Sequence, residues 1–174
     1  HSRNHFPISR KSDGSFVQPY RNSEDNPYVQ AFWEWWPNLV DDLEELRITG
    51  GEPLMSPDVW KLLDFFIENK PQTNLAINSN LGAKQSFIDR FINKSKQIGA
   101  IDLYTSCEAF GEQAEYIRDG LIWDDFVRNC ERMMTEANLK SFNMMMTINA
   151  LCLFSITEFF DLMLDWKERF GQKA

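Results

Sequence analysis

Residues 43–70 read LEELRITGGEPLMSPDVWKLLDFFIENK. LEELRIT (43–49) reads as a buried strand. It breaks on Gly50-Gly51-Glu52-Pro53, and a helix over 56–70 follows. Ser56 stands at the cap and Pro57 at the first helical position, while Val59, Leu62, Leu63 and Phe66 recur on one face. This is one strand–turn–helix unit, and the rest of the chain repeats its order.

NLAINSN (74–80) reads as a strand and KQSFIDRFINKSKQ (84–97) as an amphipathic helix. AIDLYTSC (100–107) is a strand, followed by a short helix at 111–118 and a longer one at 122–139. SFNMMMTIN (141–149) is a strand, and 155–171 a helix that stops near Gly171. Ahead of these units, NPYVQAFWEWW (26–36) reads as an aromatic helix stopped by Pro37. Residues 1–26 read as a polar arm and 27–174 as the folded body. Four β-α units in series predict parallel strands joined by crossover helices, which fits an open doubly wound sheet or a partial barrel. In either case a site belongs at the carboxyl ends of the strands.

The 174 residues are 43% hydrophobic and 14% aromatic, a composition for one domain with a sizeable core. The net charge of −8, spread along the chain, argues against a sequence-independent nucleic-acid surface. No apolar run reaches membrane-spanning length, and the first residues hold no secretory signal. A chain opening on His1 is expected to be a processed form or a fragment. Cys107, Cys130 and Cys152 are odd in number and far apart, a poor disulfide framework that points to a reducing, cytoplasmic setting.

The four strand ends are Thr49-Gly50-Gly51-Glu52-Pro53, Asn78-Ser79-Asn80, Thr105-Ser106-Cys107-Glu108 and Thr147-Ile148-Asn149. All are polar above apolar interiors, the pattern of a ligand cleft and also of ordinary loop starts. Glycines let the backbone approach a ligand, and Glu52 offers acceptors to a cation. A turn of this kind suits an ammonium group; a phosphate loop would carry lysine and amides. The plain alternative is a tight turn with a solvated glutamate.

LRITGGEPL resembles the Gly-Gly-Glu-Pro motif of the radical S-adenosylmethionine superfamily. INSNL (77–81) looks like that family's Thr-Asn-Gly strand end, and LYTSCEAFGEQAEYIRDGLIWDDFVRN (103–129) is similar to its fourth strand and following helices. MMMTINALCLFSITEFFDLM (144–163) looks like its fifth strand. The subgroup is that with twitch or SPASM-type extensions, and the resemblance spans residues ~30 to ~170. It implies an α/β fold, a partial (βα) barrel whose four parallel βα units correspond to strands 2–5 of a (βα)6 core. It also implies a parent enzyme that cleaves S-adenosylmethionine reductively to a 5′-deoxyadenosyl radical, which takes hydrogen from a substrate. Gly50, Gly51, Glu52 and Pro53 would form the turn that holds the cofactor's amino group. Ser106 and Glu108 would face its ribose or carboxylate, and Arg118 would pair with the carboxylate. Asn80 and Thr147 or Asn149 would line the pocket floor. Without the family, Arg118 reads as a surface ion pair with Glu115 or Glu112.

The family's Cys-x3-Cys-x2-Cys loop, which ligates a [4Fe–4S] cluster, is missing from this chain. The resemblance places that loop before residue 1. The cofactors implied for the full-length parent are therefore S-adenosylmethionine and the cluster, with no metal ligated by this chain. The chain alone is expected to bind S-adenosylmethionine weakly and not to cleave it. The three cysteines read as buried thiols. His1 and His5 read as surface residues of the arm, and Met144-Met145-Met146 as core strand. Packing of the helix onto the sheet is expected to account for some of Phe32, Trp33, Trp35 and Trp36; if a missing first strand would have covered the others, an exposed apolar patch is expected. Two rivals are a cluster-free relative that binds or scaffolds, and a hydrolase using Glu52 and Glu108 as paired carboxylates. No catalytic residue or substrate is assigned. The partner is a small-molecule cofactor, with no membrane or nucleic acid, and any self-association would run through raw sheet edges.

Overall fold

The computed structural model describes residues 25–171; His1, His5 and most of the polar arm lie outside them. The chain divides into two compact units, one ending at Leu39 and the other starting at Val40.

In the first unit a helix, α1, runs over Pro27–Leu39 and holds Pro37 inside it. The expectation that Pro37 ends the helix is wrong by three residues. Proline removes one donor, and so close to the helix end it forfeits a single intrahelical bond. Phe32 stacks on Trp36 with ring centroids 5.5 Å apart and meets the Trp33 edge at 5.3 Å. Tyr28 and Trp35 are exposed.

The second unit is an α/β fold. Its strands are β1 (Glu45–Ile48), β2 (Asn74–Asn78), β3 (Ile101–Ser106) and β4 (Leu139–Met145). They form one sheet in the order β1-β2-β3-β4, every pair parallel. Between them run α2 (Pro57–Asn69), α3 (Gln85–Ser95), α4 (Gly111–Ile117) and α5 (Trp123–Glu136), and α6 (Ile156–Phe170) follows β4. Short 3-10 turns occupy Val40–Asp42, Pro53–Met55 and Cys152–Phe154. A doubly wound sheet reverses its strand order at a switch point. This one does not reverse, so the doubly wound alternative is set aside. Right-handed crossovers in unbroken order put the helices on one side of the sheet.

The register carries the consequence. Arg47 pairs with Ala76, Ala76 with Asp102, and Asp102 with Ser141. Alternation then places Glu45, Arg47, Asn78, Asp102, Tyr104, Ser106 and Asn143 on one face. Leu75, Ile77, Ile101, Leu103 and Phe142, all buried, lie on the other. Parallel sheets are usually apolar on both faces. Here Arg47 lies over the Tyr104 ring at 4.4 Å, and Ser141 donates to Asp102 at 2.5 Å.

Two strand expectations are corrected. β1 is not buried; its residues alternate between exposed and half-buried because it is an edge strand of this sheet. The methionine run is not core either. β4 ends at Met145, which is exposed, and Met144 and Met146 are half-buried, since β4 is the other edge. Ser56 does precede α2, but its side chain makes no capping bond.

Leu81 is a buried non-glycine residue at φ 57°. The left-handed region costs an L-residue about 1–2 kcal/mol. Its N–H donates to Ser79 Oγ and its carbonyl accepts from Asn129, so hydrogen bonds at both ends hold it there. Leu81→Gly is therefore expected to be about 1 kcal/mol more stable than Leu81→Ala, the reverse of the usual order. Urea midpoints of the two variants check this.

Candidate functional site

The site is built at the carboxyl ends of β1, β2 and β3. Gly50 and Gly51 follow β1 at φ 87° and 51°. A Cβ at either would meet nothing within 4 Å, so what requires glycine is the backbone conformation and not space. The two turns of dihedral swing Glu52 back toward β2. Glu52 takes the cap position of the Pro53–Met55 turn, and Pro53 is buried behind it.

The Glu52 carboxylate is not a solvated charge. Oε1 accepts from Leu54 N at 3.1 Å and from Ser79 Oγ at 2.7 Å, and Oε2 accepts from Asn80 N at 3.0 Å. An ionised carboxylate has about four acceptor positions, so three are used and one, on Oε2, is left for a further donor. The Asn80 side chain accepts from Gly82 N at 2.8 Å, closing a local turn.

After β3, Glu108 is buried and its Oε2 accepts from Arg118 Nη2 at 2.5 Å. The Arg118 side chain is 28% exposed against 5% for Glu108. The expectation that Arg118, as a surface residue, pairs with Glu115 or Glu112 is thus corrected. Glu115 Oε1 accepts from Trp123 N, the first residue of α5. Arg118 Nε is buried and has no hydrogen-bond partner. A buried donor left unmade is costly.

Asn80, Ser106 and Arg118 converge on one cavity of about 450 Å³, within the range of small-ligand sites. Leu81, Ile122 and Phe126 give it apolar walls, and Asp119 and Asp125 add acidic groups near the arginine. Thr147 and Asn149 do not line this cavity; Asn149 instead folds its own loop, accepting from Leu151 N at 2.8 Å. Glu52 and Glu108 are committed to different partners, so nothing pairs them as a hydrolytic couple.

The sequence marks Ser79 only as part of a polar strand end and gives Gln85 and Asn129 no role. Asn129 is buried on α5 beside Phe126, Cys130 and Met133. An asparagine on the apolar stripe of an amphipathic helix was the available signal, because a buried amide needs partners.

Cys107, Cys130 and Cys152 are free and buried. Burial pushes the Cys130 thiol well above its ordinary value, and pushes Cys107 up as well. A cluster needs thiolates that converge on it from closely spaced positions; Cys130 lies on α5, Cys152 on the 3-10 turn after β4 and Cys107 just after β3. Among the described residues no three His, Cys, Asp or Glu side chains gather as a metal site. The raised thiols carry a stability consequence. Unfolding lets them ionise near pH 9, while the folded chain holds their protons. Their contribution is present below that pH and is lost as pH rises above it. Melting temperatures between pH 7 and 10 are expected to fall less steeply in Cys130→Ala than in the wild type.

Compared with the known protein families and with functionally curated proteins, the chain matches none. Among the described residues no helix is long and apolar enough to cross a membrane.

Proposed function

We propose that this chain is the S-adenosylmethionine cradle of a radical S-adenosylmethionine enzyme, built on a segment of a (βα) barrel. The observation that carries the reading is Glu52, a carboxylate fixed on the Gly50-Gly51 turn by three donors with one acceptor position left. That position suits the methionyl ammonium. Arg118, Asn80 and Ser106, which line one cavity, suit the carboxylate and ribose hydroxyls. Sequential order of parallel strands is what part of a barrel presents. Residues Leu81, Ile122 and Phe126 would keep water from the bound group.

In that family reductive cleavage of the cofactor supplies a 5′-deoxyadenosyl radical for hydrogen abstraction. This chain's part is to bind and orient. A second reading is a cluster-free relative that binds the cofactor without cleaving it. A reducing, cytoplasmic setting suits three free thiols in either case.

Calorimetric titration with S-adenosylmethionine tests the cradle. Weak but saturable binding is expected, with no 5′-deoxyadenosine formed under strong reductant. Absence of binding at millimolar ligand would end the reading, and 5′-deoxyadenosine from this chain would end the claim that it lacks a cluster.

A further inference from the structure

A directed series of hydrogen bonds runs through the rim of the site. Arg132 Nη1 donates to Gln85 Oε1 at 3.2 Å, and Gln85 Nε2 donates to Asn129 Oδ1 at 2.9 Å. Asn129 Nδ2 donates to the Leu81 carbonyl at 2.8 Å. Leu81 N–H donates to Ser79 Oγ at 3.1 Å, and Ser79 Oγ donates to Glu52 Oε1 at 2.7 Å. Every link points the same way, from a guanidinium on α5 to the carboxylate after β1. The Ser79 hydroxyl has one proton. Because it accepts from Leu81, that proton goes to Glu52.

The series passes through buried groups. Ser79 is 0% exposed and Asn129 1% exposed. It also passes through Leu81, whose φ of 57° turns its N–H toward Ser79 and its carbonyl toward α5. A left-handed leucine with both backbone groups bonded is strain held by its surroundings. Buried, fully satisfied polar series of this kind fix side-chain direction, because each unmade link would leave a desolvated group. The element they fix here is the loop 79–82, and through it the Glu52 carboxylate.

We propose that Ser79 and Asn129 are positioning residues that aim the remaining acceptor position of Glu52 Oε2 at the ammonium group of an amino-acid-bearing nucleoside ligand. The ligand assignment rests on the cradle reading above; the positioning does not. Ser79 acts directly on the carboxylate, while Asn129 acts from α5 through Leu81 and so links the third βα unit to the first.

Two probes separate positioning from general support. S-adenosylmethionine carries the ammonium, and 5′-methylthioadenosine shares the nucleoside and sulfur but lacks it. Ser79→Ala is expected to weaken S-adenosylmethionine about tenfold and Asn129→Ala about threefold, the scale of one hydrogen bond to a charged group and of a remote link. Affinity for 5′-methylthioadenosine should not change, Ser79→Thr should retain wild-type binding, and Ser79→Ala should add nothing in a Glu52→Gln background. Equal weakening of both ligands, or no weakening by Ser79→Ala, overturns the proposal. Hydrogen exchange at the Asn80 amide reads the carboxylate without any ligand, since that N–H donates to Glu52 Oε2. Exchange about tenfold faster in Ser79→Ala than in Ser79→Thr supports the positioning even if S-adenosylmethionine fails to bind. Unchanged exchange in Ser79→Ala overturns it.

Discussion

Replacing Glu52 with alanine is expected to cost about 3 kcal/mol of folding stability, and to abolish S-adenosylmethionine binding in the same variant. The stability loss follows from three donors. Leu54 N, Ser79 Oγ and Asn80 N all end on this carboxylate. Hydrogen bonds to charged groups are each worth about 1.5–3 kcal/mol. The sum is discounted because Asn80 is exposed and its N–H can turn to water. Glu52→Gln is expected to lose about half as much stability, since its amide keeps an oxygen for two donors and faces Asn80 N with a third. Binding should fall at least tenfold in Glu52→Gln, because the acceptor position left for the ammonium becomes a donor. Urea unfolding and calorimetry on the two variants read the two effects separately. A Glu52→Ala chain as stable as wild type would mean that the carboxylate does not tie β1 to β2.

The second large effect is at Arg118. Arg118→Met leaves the Glu108 carboxylate buried beside Cys107 and Ala109 with no cation. Breaking a buried pair from one side costs about 3–5 kcal/mol. With the Arg118 side chain 28% exposed, the lower end, about 3 kcal/mol, is expected. Adding Glu108→Leu to Arg118→Met should restore at least half of the loss, since an apolar replacement of a buried pair is often neutral. A double-mutant cycle by urea denaturation gives the coupling, expected near 2 kcal/mol. Additive losses would show that the pair is not a unit.

Much of the site was legible because its signals are local. Gly50-Gly51 announced positive φ, and Glu52 next to them announced an acceptor at a strand mouth. The partners of that acceptor were not legible. Ser79 lies 27 residues from Glu52, and Asn129 lies 48 residues from Leu81. Such pairs exist only once parallel strands have brought separate βα units side by side. Arg118 shows the same limit. On the helix just before it stand Glu112 and Glu115, but the end of α4 turns it toward Glu108, ten residues back.

Periodicity and punctuation alone settled the order of elements and the parallel sheet they imply. These follow from short-range rules: side-chain period, proline and glycine positions, and the steric handedness of crossovers. Which strands are edges, which sheet face stays polar, and which donors satisfy each buried charge were decided by the tertiary structure. β1 and β4 read as buried strands but sit at the sheet's margins. Burial and hydrogen-bond satisfaction are properties of the assembled layers. A residue's neighbours across a sheet are set by register and strand order, which no local window of sequence contains.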